Sequence, residues 1–292
     1  RENMYGHIIK SQRAKVLVQA LPYIQKYWNR VVVIKYGGNA MVSEELKRQV
    51  MEDIVLLQLV GVKVVLVHGG GPEINDLLSK LGVKSEFVNG LRVTDEETAQ
   101  IVQMVLAGKV GKSLVNLIES TGGKAMGICG IDGKLIEAKS KSPALGYVGD
   151  ITRVNVGPIN DLLEKGYIPV VSSLGCDAEG NVYNINADTM AAHISGAMGA
   201  ECLISMTDIA GIMQDPDAPA SLVPYADIND AVELFRRGVI KGGMIPKVES
   251  CMEALLCGVK KVFILDGRVP HSILLEMLTD EGSGTMMVGE KK

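Results

Sequence analysis

The chain has 292 residues, 47% of them hydrophobic but only 4% aromatic, with a net charge of −4 at pH 7. That size fits one large α/β domain or two lobes, and the aliphatic bias fits an α/β interior. The acidic balance leaves no footprint for nucleic acid or an anionic membrane, and no apolar run approaches about 18 residues, so no membrane span is expected.

Five cysteines (129, 176, 202, 251 and 257) are odd in number and lack any C-x-x-C spacing. They read as small core residues in a reducing cytoplasm, and a zinc site does not fit. The sequence starts at Arg1 without a signal-peptide apolar region, which suggests a trimmed or tagged start.

Residues 1–28 carry Ile8, Ile9, Val16, Leu17, Leu21 and Ile24 at helical spacing, with a break expected near Pro22. This amphipathic appendage precedes the first strand, so its apolar face packs either on its own domain or on another subunit. Val31 to Ile34 is a short buried strand ending in Lys35-Tyr36-Gly37-Gly38. Ser43 suits the N-cap of the next helix, with Glu44 and Glu45 in its positive first turn. A lysine at the C-terminal end of a strand, beside glycines, points into the crevice where open α/β sheets bind ligands.

Val62 to Val67 is a second β-branched strand, suited to burial on both faces, and it breaks into His68-Gly69-Gly70-Gly71-Pro72. Pro72 fits the first turn of a helix that stops at Gly82. Strand, glycine turn and helix N-terminus together make an anion site of free N–H groups. Asn89 to Thr94 follows as a loop. Thr94 and Glu97 read as a capping box, with a long helix from Asp95 towards Thr121. Arg92, just before that start, is either a surface ion-pair partner or a bidentate clamp for a carboxylate. Within the helix, Gly108 to Ser113 mimics a P-loop but has Leu106 where the first glycine is required, and no strand precedes it.

Met126 to Val156 reads as short strands that fold over a small substrate as a flap. Asn160 to Gly166 is a short helix and Ile168 to Val171 a buried strand. Asp177 to Asn181 is a hairpin turn. Asn184, Asn186 and Asp188 then surround the start of a helix running from Ala187 to Met198, with Asp188 a candidate cap or ligand. Further strands are expected at Cys202 to Met206, Lys261 to Leu265 and Thr285 to Val288, the last closing the sheet. Helices are expected from Asp227, Met244 and Pro270, the second carrying Lys247 in its first turn. His68 and His193 have no obvious partners. No Gly/Pro/Ser linker interrupts the chain, so the division expected is a helix at 1–28, a lobe at 29–196 and a lobe at 197–292.

Two glycine turns, Lys35 and Lys247 beside glycine-rich segments, and an aspartate at a helix start suggest phosphoryl transfer, which needs positioning and positive charge more than covalent help. The motifs Lys35-Tyr36-Gly37-Gly38, His68 to Pro72, Asn89 to Thr94, Asn184 to Asp188 and Gly243 to Lys247 resemble, in the same order, those of the N-acetylglutamate kinases of the amino-acid kinase family. That resemblance covers residues from about 30 to 292. It implies an open, mostly parallel sheet in an α/β/α sandwich of two lobes, with an extra N-terminal helix. It also implies ATP with Mg²⁺ held mainly by the nucleotide phosphates, no metal ligands from the protein, and N-acetyl-L-glutamate as substrate.

By the same resemblance, Lys35 and Lys247 flank the transferring group and Asp188 holds both. Gly37, Gly38, Gly70 and Gly71 donate N–H groups, while Arg92 and Asn184 grip the substrate. Thr207, Asp208, Gly211 and Gly243 line the nucleotide. The N-terminal helix and residues 268–282 resemble the arginine-inhibited branch, a homo-oligomer that is a hexamer built as a trimer of dimers. That implies L-arginine as effector at His271 and Glu281. A PII-type signalling protein is a further partner that the residues do not decide. A sister kinase acting on N-acetyl-aminoadipate and a non-catalytic relative stay open as alternatives.

Overall fold

The computed structural model describes residues 10–41, 43–215 and 218–289. The first half runs α1 (Lys10–Gln19), α2 (Leu21–Tyr27), β1 (Val31–Tyr36), α3 (Glu44–Leu59), β2 (Lys63–His68), α4 (Gly71–Leu81), β3 (Phe87–Val88), β4 (Leu91–Arg92), α5 (Glu96–Gln103), α6 (Gly111–Ser120), β5 (Ala125–Cys129), β6 (Ile136–Ser140) and β7 (Gly149–Val154). The second runs α7 (Gly157–Glu164), β8 (Ile168–Ser172), β9 (Leu174–Cys176), β10 (Val182–Asn184), α8 (Ala187–Ala197), β11 (Cys202–Thr207), β12 (Tyr225–Asp227), α9 (Ile228–Arg236), α10 (Met244–Leu256), β13 (Lys261–Asp266), α11 (Ser272–Leu278) and β14 (Thr285–Val288).

Eight strands form one sheet in the order β12-β14-β13-β11-β1-β2-β8-β5, parallel throughout except that β14 runs against β13. The expected sandwich is present. The strand Thr285 to Val288 does not close the sheet, however, because the short β12, which the sequence reading missed, pairs outside it. Alternation along β1 sorts the core into two layers. Val32, Ile34 and Tyr36 pack with α3, α4, α6 and α11, while Val33 joins α7, α8 and α10. Lys35 therefore continues the Val33 face, towards α8.

The region expected as a flap divides. Its first strand, β5, is the edge of the main sheet, while β6 and β7 join β9 and β10 in a separate four-stranded sheet. The long helix from 96 to 120 is continuous but widens to π geometry over Met104–Val110. By length and composition alone, Glu96–Ser120 is long and apolar enough to cross a membrane. Its Ile101, Val105, Leu114 and Ile118 are buried in the core with α3 and β2, which accounts for the apolar character.

At the N-terminus, Ile8 and Ile9 lie outside the described residues. The break falls at Ala20, and Pro22 sits in the first turn of α2, where its missing N–H costs nothing. The two helices answer the packing question differently. Tyr27 of α2 is buried and its hydroxyl accepts from Lys261 Nζ at 3.2 Å. In α1, Val16, Leu17 and Val18 are 60%, 76% and 67% exposed. Nearby, His271 Nδ1 meets the buried Asp53 at 2.6 Å, tying α11 to α3. Burial pushes the Asp53 carboxyl up to about 6 despite that contact.

Ile34, fully buried in the central strand, measures how far the sheet depends on this packing. Ile34→Ala is expected to cost about 2–5 kcal/mol, read as a lower urea midpoint at unchanged slope. A loss under about 1 kcal/mol would mean that the neighbouring side chains collapse into the gap.

Candidate active site

The C-terminal ends of β1, β2 and β11 lie side by side, with Lys35 level with Val67 and Ser205. The glycine turns after β1 and β2 therefore open onto the same edge of the sheet, which is where α/β sheets bind ligands. A cavity of about 210 Å³ lies there, and it gathers Lys35, Gly37, Gly38, Gly70, Gly71, Arg92, Asn184 and Asp188. Eight of the residues expected at the site are thus brought together.

Lys35 Nζ is 2.9 Å from Asp188 Oδ1, with side-chain exposures of 13% and 27%. Asp188 is free to make this pair because it does not cap α8. Asn186 does so instead, its Oδ1 accepting from the N–H groups of Asp188 and Thr189 at 2.9 and 3.0 Å. The expectation that Asp188 holds both lysines needs correcting, since Lys247 pairs with Asp208. That hydrogen bond also holds the Asp208 carboxyl below its usual range. Lys247 and Asp188 do share the lining of an adjoining hollow between α10, α8 and β7. Two carboxylates, one on each side, therefore position the two ammonium groups.

Arg92 is not in a loop as expected but in the short strand β4, paired with β3. The turn between them is Asn89-Gly90, with φ of 50° and 78°, a dipeptide that favours tight hairpins and was legible in the sequence. The guanidinium is buried, bonded to Ser85 Oγ and stacked 4.7 Å from the Phe87 ring. Burial lowers its pKa, but arginine remains charged. Asn184 Nδ2 donates to Thr94 Oγ1 at 3.3 Å, and Thr94 Oγ1 donates to Arg92 O at 2.9 Å, so the two expected substrate contacts are linked. Thr94 is accordingly not the helix cap. Asp95 takes that role, accepting from Thr98 N at 2.8 Å.

Thr207 ends β11 and Asp208 follows it, with Thr207 Oγ1 donating to Asp208 Oδ1 at 3.3 Å. Gly243 starts α10 in the open. Gly211 has a packing explanation, because a Cβ there would sit 2.5 Å from Thr285 Oγ1. The effector candidates stand apart from this cavity. His271 is engaged by Asp53, while Glu281 is exposed beyond the other end of α11. His68 and His193, read as lacking partners, have them. His193 meets Glu253 at 3.2 Å, and the wholly buried His68 meets Ser172 Oγ at 2.9 Å.

The anion-ready turns, the two aspartate-paired lysines and the buried arginine suit a phosphotransferase for a small acid. The chain belongs to the amino acid kinase family, whose profile matches residues 30–266. It is 54% identical to the acetylglutamate kinase of Clostridium beijerinckii over 280 residues, which is 95% of this chain and 98% of that one. Identity to the acetylglutamate kinase of Brachyspira hyodysenteriae is also 54%, over 96% of this chain and 98% of that one. Among solved structures, N-acetylglutamate synthase from Neisseria gonorrhoeae, complexed with coenzyme A and N-acetyl-glutamate, matches 96% of this chain with a TM-score of 0.83. This chain spans 64% of that one at 24% identity, so the likeness is one of fold.

Burial pushes the His68 imidazole down to about 4 from an ordinary 6.5. The folded protein therefore binds fewer protons than the unfolded chain between those values. Stability from this group is complete above pH 6.5 and is lost as pH falls towards 4, on the order of 3 kcal/mol in all. Asp53, whose pKa is raised, acts in the opposite sense, so the test compares two proteins. The melting temperature of wild type is expected to fall more steeply from pH 6.5 to 5 than that of His68→Asn, and parallel curves would contradict this.

Proposed function

We propose that the protein transfers the γ-phosphoryl group of MgATP to the γ-carboxylate of N-acetyl-L-glutamate, giving ADP and N-acetyl-L-glutamyl 5-phosphate for arginine biosynthesis in the cytoplasm. The observation that carries this reading is the convergence of Lys35, Asp188, two glycine turns, Arg92 and Asn184 on one cavity. The choice of acid is supported by 54% identity to proteins named acetylglutamate kinase.

In this reading a carboxylate oxygen attacks the γ-phosphorus while the bond to the β-phosphate oxygen breaks and ADP leaves with the electron pair. The attacking carboxylate is already ionised near pH 7, so no general base is needed. Lys35 and Lys247 neutralise charge on the transferring group from two sides, as phosphoryl transfer requires. Asp188 and Asp208 keep the ammonium groups at those positions. N–H groups of Gly37, Gly38, Gly70 and Gly71 point at phosphate and carboxylate oxygens, and Arg92 grips the α-carboxylate with Asn184 beside it. Residues 29–196 form the substrate lobe and 197–292 the nucleotide lobe, with Thr207, Asp208 and Gly243 at the nucleotide. Magnesium arrives as part of the nucleotide substrate. Both nearby carboxylates face lysines, and no cluster of three or more His, Cys, Asp or Glu side chains is found among the described residues.

The regulatory part of the reading is a hexamer, a trimer of dimers joined through α1 and inhibited by L-arginine. Its support is three exposed apolar side chains on α1, Val16, Leu17 and Val18. An effector guanidinium would pair with the exposed Glu281, and His271, held by the buried Asp53, would shape the site. Inhibition then requires that arginine bind two conformations of the assembly with different affinities.

ADP release measured across acetylated and free glutamate, aspartate and aminoadipate tests the substrate. Acetylglutamate is expected to lead, and equal turnover of free glutamate or of the aminoadipate analogue would sink the reading. Lys35→Ala and Lys247→Ala should each lower kcat by on the order of 10²–10³, more than they raise KM. Arg92→Ala should raise the acetylglutamate KM and leave that for ATP nearly unchanged; a weakened ATP KM instead would reverse the lobe assignment. Removing residues 1–19 should turn hexamers into dimers and blunt arginine inhibition while sparing catalysis. Sedimentation showing an unchanged assembly would return α1 to its own subunit.

A further inference from the structure

His68 does not line the cavity, yet it is wired to the turn that does. Along β2 it follows Val64 and Leu66 onto the face opposite Lys35, and it stands level with Ser172 of β8. Its Nδ1 is 2.9 Å from the carbonyl oxygen of Gly69, and its Nε2 is 2.9 Å from Ser172 Oγ. A neutral imidazole has one N–H, and the Gly69 carbonyl only accepts, so that partner places the proton on Nδ1, while the single Ser172 hydroxyl hydrogen is shared between Nε2 and the Leu106 carbonyl oxygen.

The back of the same turn rests on the π-helical stretch Met104–Val110. A Cβ on Gly70 would come within 2.8 Å of Leu106 Cδ2 and 3.1 Å of Val110 Cγ2. A Cβ on Gly111 would come within 3.0 Å of Ser172 Oγ and 3.3 Å of His68 Nε2. The wider π turn brings the Leu106 carbonyl to 3.1 Å from Ser172 Oγ, and π segments recur at functional sites. In a trans peptide the C=O and the next N–H point in opposite directions. Holding the Gly69 carbonyl towards the imidazole therefore turns the Gly70 N–H towards the open side of the turn, where Gly70 lines the cavity.

We propose that His68, backed by Ser172 and the π-helical stretch Met104–Val110, is a positioning residue for phosphoryl transfer that fixes the Gly69–Gly70 peptide so that the Gly70 N–H faces the reacting oxygens. This rests on the reading of the cavity as a carboxylate-phosphorylating site. His68 touches no substrate in this arrangement; it acts through the backbone of Gly70.

Three variants separate positioning from mere support of the fold. His68→Leu removes both polar contacts, His68→Asn restores a donor near the Nδ1 position, and Ser172→Ala removes the partner of Nε2. The readouts are kcat, both KM values, the melting temperature, and the amide resonance of Gly70 in glycine-labelled protein. His68→Leu is expected to lower kcat about 10- to 100-fold, the scale of a misplaced catalytic group, with the ATP KM within about twofold of wild type and the Gly70 amide shifted. His68→Asn should regain about tenfold of that kcat without regaining the lost melting temperature, a separation that a purely structural role does not produce. A folded His68→Leu with wild-type kcat and an unmoved Gly70 amide would overturn the proposal. If His68→Leu does not fold, Ser172→Ala decides by the same two readouts. A wild type that fails to phosphorylate acetylglutamate would overturn the functional reading alone, and the Gly70 resonance in His68→Asn and Ser172→Ala would still decide this one.

Discussion

The pairing of Lys35 with Asp188 fixes the site, because it joins the end of the central strand to the first turn of α8. Three local facts make it possible. Alternation along β1 sends Lys35 to the α8 face, Asn186 takes over the cap, and Gly37, where a Cβ would stand 3.5 Å from Lys35 Nζ, leaves the space beside the ammonium open. At 13% and 27% side-chain exposure the pair is mostly shielded from solvent, so the cost of desolvating both groups offsets much of their attraction. Its value for the fold is therefore small. In the proposed reaction its value is larger, because a positive group held in place beforehand need not reorganise when charge develops in the transition state.

The parallel register of β1, β2, β8 and β11 extends that constraint to both sides of the sheet. Lys35 approaches the site from the α8 face, while His68 and Ser172 grip the second glycine turn from the α4–α6 face. A shift of one residue in either strand would exchange those faces and separate the groups. Lys35 and Lys247, each paired with an aspartate, and the buried, stacked Arg92 stand with the glycine turns around the cavity and its adjoining hollow. Such a surface suits a small polyanion pressed against a carboxylate.

Much of this was legible in the chain, and each miss has a physical cause. The strands carrying Lys35 and the triple glycine stood out because β-branched runs buried on both faces have no polar interruption. The helix starting near Ala187 was legible too, but Asp188 and Asn186 have equal capping propensity, and only tertiary structure assigns the cap to Asn186. The partner of Lys247 was misread for the same reason, since Asp208 is 39 residues away and sequence spacing does not rank it against Asp188. The hairpin holding Arg92 was missed although Asn89-Gly90 signalled it, because two-residue strands leave no periodicity to read. The π-helical stretch and the His68–Ser172 contact had no local signal. The His68–Ser172 contact joins residues 104 apart in the chain.

The most direct test of the central claim follows the oxygen that becomes bonded to phosphorus. N-acetyl-L-glutamate labelled with ¹⁸O in its γ-carboxylate is incubated with ATP and the enzyme, and the product is cleaved with hydroxylamine, which attacks the carbonyl carbon. Phosphorus NMR of the released phosphate then reports its isotopic content. Direct attack by the carboxylate predicts that each phosphate derived from product carries one ¹⁸O. Unlabelled phosphate alone would mean that the phosphoryl group went to water or to another acceptor, and that the cavity does not perform the proposed reaction.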